Sequence, residues 1–225
     1  AERDAEGLAA AGDRLDRYYV SFEGRHRIVL SETPFDLASN HVGTVAAPAE
    51  GSSLPANAGF EALAELPLSG RTVLAVGAED GRVWFCGLPP ARGCSLAFAR
   101  GGPAPGFRLT GLDQLPGTAD LVAVYRAYDP FRGMRTIVAR LHTGVTGPRR
   151  FIETLARLER PLVQGNFEGV AALEHGRGGW TLYLISDDGF PPGAPTLLLA
   201  FDYTPARPGS SPVPQRTREE PGVRF

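Results

Sequence analysis

The sequence predicts an all-β fold: a β-propeller with about four recognisable blades, each a three- to four-stranded antiparallel sheet. Three observations lead there. One segment pattern recurs about every 50 residues, at Glu6, Glu61, Thr110 and Glu168, and a ~40–50-residue period of short strands marks propeller blades. Gly 28 and Pro 20 in a chain of 225 residues favour many turns over long helices. The remaining apolar runs are short and rich in β-branched and aromatic residues, as strands are.

The first unit, "DAEGLAAAGDRLDRYYVSFEG" from Asp4, sets the pattern. Glu is followed by a small residue, an aliphatic one and Ala; a Gly-containing turn leads into an aromatic or β-branched run that ends in an acid and Gly. "HRIVLSE" and, less clearly, "HVGTVAA" add further strands. "APAEGSSLPANAG" from Ala47 reads as a long surface loop between blades.

The second unit is "GFEALAELPLSGRTVLAVGAEDG" from Gly59, followed by "RVWFCGL" and "CSLAFAR". Cys86 and Cys94, the only cysteines, flank a hairpin turn. They form either a cross-strand disulfide, which would indicate an oxidising compartment, or two half-buried thiols. The third unit, "LTGLDQLPGTADLVAVYRA" from Leu109, carries Thr110 where the others carry Glu, and continues into "RTIVARLH". "RFIETLARLER" from Arg150 allows two readings, a short helix with Phe151, Leu155 and Leu158 on one face or the outer strand of this blade. The fourth unit is "NFEGVAALEHGRGGWTLYLISDDG" from Asn166, with "TLLLAFDY" after it. Residues 1–203 therefore form the propeller domain, and the Pro- and Arg-rich stretch 204–225 forms a tail.

The acids of these units carry the functional argument. Antiparallel pairing brings the start of each first strand to the end of the second. Glu6 is thus expected near Glu23, Glu61 near Glu79 and Asp80, and Glu168 near Asp187 and Asp188. If the first strands line the axis, these carboxylates gather at one channel mouth. Like charges so gathered raise each other's pKa unless a cation neutralises them. Ca²⁺, with its flexible shell of oxygen ligands, suits such a site. Glu6, Glu61, Glu168 and Asp187 are the first expected ligands, and Glu23, Glu79 and Asp188 the second. The alternative is structural: the leading Glu residues accept backbone N–H groups of a neighbouring blade and lock the ring. Arg25 and Arg27, just past Glu23, are candidate phosphate contacts, since Arg offers a bidentate fork.

Several function classes are excluded or unsupported. A net charge of −2 with 23 dispersed Arg and no Lys gives no nucleic-acid footprint. No apolar run reaches the ~18 residues of a membrane span. There is no Gly-x-Ser-x-Gly elbow, no P-loop and no dinucleotide fingerprint. His26, His41, His142 and His175 have no metal-ligand spacing.

"DAEGLA…YVSFEGRHRI", "GFEALAEL" and "NFEGVA…LYLISDDGF…TLLLAFD", in this order from Asp4 to Asp202, resemble the phytase-like domain, the esterase-like activity of phytase family. The resemblance implies a β-propeller of about six blades, an exported bacterial protein, periplasmic or secreted, and phosphoester hydrolysis acting on a phosphorylated small molecule. Family members carry a further blade before the "DAEGLA" segment. The expectation is therefore a native chain that is longer at the N-terminus, or a ring with fewer blades. Gly189 stands where members commonly carry Asn, and Ala194-Pro195 where they often carry Gln. Two functions follow from different classes: a calcium-dependent phosphoester hydrolase, or a non-catalytic propeller that binds a ligand or protein at the same rim.

Overall fold

In the computed structural model, which describes residues 5–12, 14–32, 41–55, 58–89, 93–144, 150–176, 178–189 and 195–205, the chain forms four antiparallel sheets arranged as a four-blade β-propeller. Blade 1 is β1 (Ala5–Ala11), β2 (Arg14–Phe22), β3 (Arg27–Ser31) and β4 (His41–Val45). Blade 2 is β5 (Phe60–Leu68), β6 (Arg71–Ala78), β7 (Val83–Gly87) and β8 (Cys94–Phe98). Blade 3 is β9 (Arg108–Gln114), β10 (Leu121–Asp129), β11 (Gly133–His142) and β12 (Phe151–Leu158). Blade 4 has three strands, β13 (Asn166–His175), β14 (Gly179–Asp187) and β15 (Leu198–Tyr203). Each sheet is a meander, so neighbours in sequence are neighbours in space.

The recurring segment is the innermost hairpin of each blade. β1 packs on β5, β5 on β9, and β9 on β13. In blades 1 and 3 the glycine after the leading position makes that approach feasible. A Cβ at Gly7 would sit 2.6 Å from Ser21 Oγ and 3.2 Å from the Ala62 N of the next blade, and one at Gly111 would sit 2.8 Å from the Glu168 carbonyl oxygen of blade 4.

Strand alternation sends side chains to both faces of each sheet, and apolar layers fill the spaces between blades. Tyr19, Ile28 and Val45 meet Phe60, Leu74 and Trp84 between blades 1 and 2. Phe85 and Phe98 meet Leu109, Tyr125 and Ile137 between blades 2 and 3. Val122, Val124 and Val138 meet Phe167, Leu182 and Leu184 between blades 3 and 4. In blade 4, Leu173, Ile185 and Leu198 are exposed. Among the described residues no buried cluster joins blade 4 to blade 1.

Polar bonds register the blades. Ser21 Oγ donates to the Phe60 carbonyl at 2.6 Å, and Thr110 Oγ1 to the Phe167 carbonyl at 3.0 Å. Glu65 accepts the Gly12 N–H at 3.0 Å, and Asp113 accepts the Ala172 N–H at 2.8 Å. Thr110 thus ties blade 3 to blade 4 at the position where the other units carry an acid.

The two open readings of the sequence are resolved as β-structure. "RFIETLARLER" is the outer strand β12, paired to β11 from Thr136↔Leu158 to His142↔Phe151. Cys86 and Cys94 lie opposite each other on β7 and β8 and are disulfide-bonded, with a Cα–Cα distance of 4.0 Å. The loop from Ala47 contains a 3-10 turn, Ala49–Ser53, and buries Leu54 in the layer between blades 1 and 2. Residues 206–225, most of the expected tail, lie outside the described residues. No helix among the described residues is long and apolar enough to cross a membrane.

Candidate functional site

The hairpin register brings the acids together in pairs. Ala5 pairs with Phe22, Phe60 with Ala78 and Asn166 with Asp187. Glu6 therefore shares a hairpin end with Glu23, Glu61 with Glu79 and Asp80, and Glu168 with Asp187 and Asp188. A cavity of about 540 Å³ opens at this end, walled by Glu6, Glu61, Thr110, Glu168 and Asp187, with Tyr183 and Ile185 on its apolar side. Acids from three blades thus reach one space, with the Thr110 position of blade 3 between those of blades 2 and 4.

Their surroundings differ. Burial pushes the Glu61 carboxyl up to about 8, and the charges of Glu6, Glu79 and Glu23 add to the rise while Arg126 opposes it. Glu61 makes no hydrogen bond or ion pair with the described residues. Burial also raises Glu168; Arg126 pulls it back, Asp187 pushes it up again, and a hydrogen bond from Asn166 lowers it. Arg126 Nη2 lies 3.3 Å from Glu168 Oε1.

Several acids at the hairpin ends, the first-choice Asp187 and the second-choice Glu23 and Glu79 among them, are already engaged. Glu23 Oε1 accepts the Gly59 N–H at 3.2 Å, which ties blade 1 to the entry of blade 2. Glu79 accepts from Arg108 Nη1 at 2.6 Å. Asp80 accepts from Arg82 Nε through both oxygens, at 3.1 and 3.0 Å. Asp187 Oδ1 accepts the Gly189 N–H at 3.1 Å, a turn closure. Asp188 follows β14 at the same end.

Arg25 and Arg27 stand apart from the acid cavity. They line a separate depression with His26 and Pro48. The Arg27 guanidinium lies 4.1 Å from the centre of the Phe22 ring. A basic residue that reaches an acid of the cavity itself is Arg126, beside Glu168, and the sequence does not single it out. Its signal was present: a basic residue inside the mostly apolar run "LVAVYRAYD".

The donors at the mouth are carboxylate oxygens with surplus negative charge, which fit a hard cation in kind. Among the described residues no three Asp, Glu, His or Cys side chains are grouped so as to hold one ion.

Fold and site together define a propeller with an acidic channel mouth. The chain belongs to the phytase-like family, described as "esterase-like activity of phytase", whose model matches residues 1–190. Among solved structures, a bifunctional GH43-CE protein of Bacteroides eggerthii is 14% identical, covering 88% of this chain and 32% of that one with a TM-score of 0.36. The chain therefore spans about a third of that protein. Comparison with the curated proteins finds no match.

Proposed function

We propose that the acidic mouth takes Ca²⁺ and, with it, a phosphorylated small molecule, and that the protein is a calcium-dependent phosphoester hydrolase. The observation that carries this reading is the gathering of Glu6, Glu61, Glu168 and Asp187 around one cavity in which Glu61 is pushed up by burial first and then by the acids around it. Membership of the phytase-like family supports the reaction class. The Cys86–Cys94 disulfide supports an oxidising, periplasmic or secreted location.

Glu6, Glu61, Glu168 and Asp187 would hold the ion; Glu23, Glu79 and Asp188 stand behind them. When bound, Ca²⁺ supplies charge neutralisation and polarises the phosphoryl group. The chain's own residues do the rest. Glu61, raised by burial and by the acids around it, would give up its proton to hold a cation. Arg126 and Asn166 hold the Glu168 carboxylate. Tyr183 and Ile185 keep one wall apolar. Arg25 and Arg27 would meet an anion only in their own depression.

The second reading, a non-catalytic propeller that binds a ligand or protein at this rim, is favoured by one observation: no three acids are grouped around one ion position. Release of p-nitrophenol from p-nitrophenyl phosphate decides between them. The enzyme reading expects turnover with calcium, loss of it with chelator, and a fall of at least ~100-fold in Glu168→Gln. Calcium binding without turnover moves the binding module ahead.

A further inference from the structure

We infer that the ligand of the cavity carries an apolar group, aryl or branched alkyl, seated against Leu8, Tyr183, Ile185 and Leu198, and that polyphosphorylated molecules are excluded. The reaction class rests on the hydrolase reading. On that reading the substrate is a phosphomonoester of an apolar alcohol or a phenol.

The cavity has two unlike sides. Its carboxylates sit at hairpin ends; its other wall comes from faces of blades 1 and 4 that no neighbouring blade covers. On β14, Leu182 and Leu184 pack toward blade 3, so alternation turns Tyr183 and Ile185 the other way. On β15, Leu199 and Phe201 pack toward blade 3, which leaves Leu198 on the same side as Ile185, its direct cross-strand partner. On β1, Leu8 stands opposite Val20, on the side of blade 1 away from the layer shared with blade 2. Leu8, Ile185 and Leu198 are 53%, 48% and 68% exposed, yet all three line this one cavity. Single exposed apolar side chains need no explanation, whereas several around one concave space mark a binding site. The volume of about 540 Å³ falls in the range of small-molecule sites, roughly 300–1,000 Å³.

The charges narrow the ligand further. Among the described residues no Arg or His lines the cavity. Arg126 lies beside Glu168 but is not part of the wall. Arg82, Arg100 and Arg108 line a separate groove, where they pair with Asp80 and Glu79. A bound cation could neutralise one phosphate; further phosphates would face Glu6, Glu61, Glu168 and Asp187 without a counter-charge. An apolar group meets no such repulsion, and it removes exposed leucine and isoleucine from water.

Hydrolysis of 1-naphthyl phosphate, glycerol 2-phosphate and inositol hexakisphosphate is compared at one free calcium concentration. We expect kcat/KM for 1-naphthyl phosphate to exceed the other two by about tenfold or more, the scale of a lost apolar contact in a pocket. Ile185→Asn with Leu198→Asn, and separately Leu8→Asn, should raise KM for 1-naphthyl phosphate about tenfold more than KM for glycerol 2-phosphate. Urea melts confirm folding; should the double variant fail to fold, Leu8→Asn carries the test. Equal rates on the three esters, or a preference for inositol hexakisphosphate, overturn the inference. Binding is read apart from chemistry with the neutral fluorophore N-phenyl-1-naphthylamine, which should bind wild type and lose about tenfold in affinity in the variants. If no ester is turned over, the hydrolase reading falls and the fluorophore alone decides. Binding that the variants weaken then upholds an apolar ligand for a binding module; no binding, or binding indifferent to the variants, overturns it. Sedimentation supplies the last arm: a wild-type dimer that Leu198→Asn dissociates means that a second copy covers this face, and overturns the inference.

Discussion

Replacing Glu61 by Gln is expected to stabilise the protein at alkaline pH and to flatten its stability profile. The Glu61 carboxyl is pushed up to about 8 in the fold, by burial first and then by Glu6, Glu79 and Glu23; unfolded, it returns to the ordinary range near 4.5. The native state therefore binds the extra proton between these values. The stability that proton gives is fully present below about pH 4.5 and is lost as pH rises through about 8. A full shift of this size would be worth several kcal/mol, but the carboxyl borders an open cavity, so about 2 kcal/mol is the expected loss. Gln does not titrate. Urea melts in chelator should show wild type weakening from pH 5 to pH 8.5 and Glu61→Gln weakening much less. Glu168 and Asp113, also raised by burial, leave a residual slope of the same sign. Parallel profiles for the two proteins would contradict the crowded-acid picture.

The largest loss of stability is expected far from the mouth, at the other end of blade 3. Asp120 is 6% exposed. Arg140 reaches its Oδ2 through Nε at 2.9 Å and Nη2 at 2.7 Å, His142 Nδ1 lies 3.3 Å away, and the Thr143 N–H donates to Oδ1 at 3.0 Å. Arg140 also spans to blade 4, with Nη1 3.4 Å from the Tyr203 hydroxyl and its guanidinium 5.6 Å from the Trp180 ring. Arg140→Ala leaves a buried carboxylate without its main counter-charge, a change that costs about 3–5 kcal/mol. Asp120→Asn in the same chain removes the stranded charge and should recover a large part of the loss. Denaturant midpoints of both singles and the double variant measure the coupling. Simple additivity of the two losses would mean that the pair is not a unit.

The repeat was legible because each inner hairpin faces the same neighbours. Two of them need glycine where the next inner strand presses close, at Gly7 and Gly111, and all carry apolar residues. Such needs are local and leave a pattern in the sequence. The pairing of acids at hairpin ends followed from antiparallel geometry alone. What stayed hidden depends on distant partners. The stretch at Phe151–Leu158 carries apolar residues at helical spacing, and only its pairing with β11 makes it a strand. Asp120 and Arg140 are twenty positions apart and nothing local links them. Arg126 showed only as a charge among apolar neighbours; its object, Glu168, lies on another blade. Ser21 and Asp113 lock blades through bonds to backbone groups of other units, which side-chain patterns do not reveal.

The central claim is that the gathered carboxylates form a cation site, and calcium-dependent melting tests it most directly. An ion that binds the native state alone stabilises it by about 2.7 kcal/mol at about 100 times Kd. For a domain of this size that is roughly 5–10 °C in Tm. The account predicts this gain for wild type, its reversal by chelator, and its absence in Glu61→Gln combined with Glu168→Gln. A wild-type Tm that is the same in calcium and in chelator would contradict it.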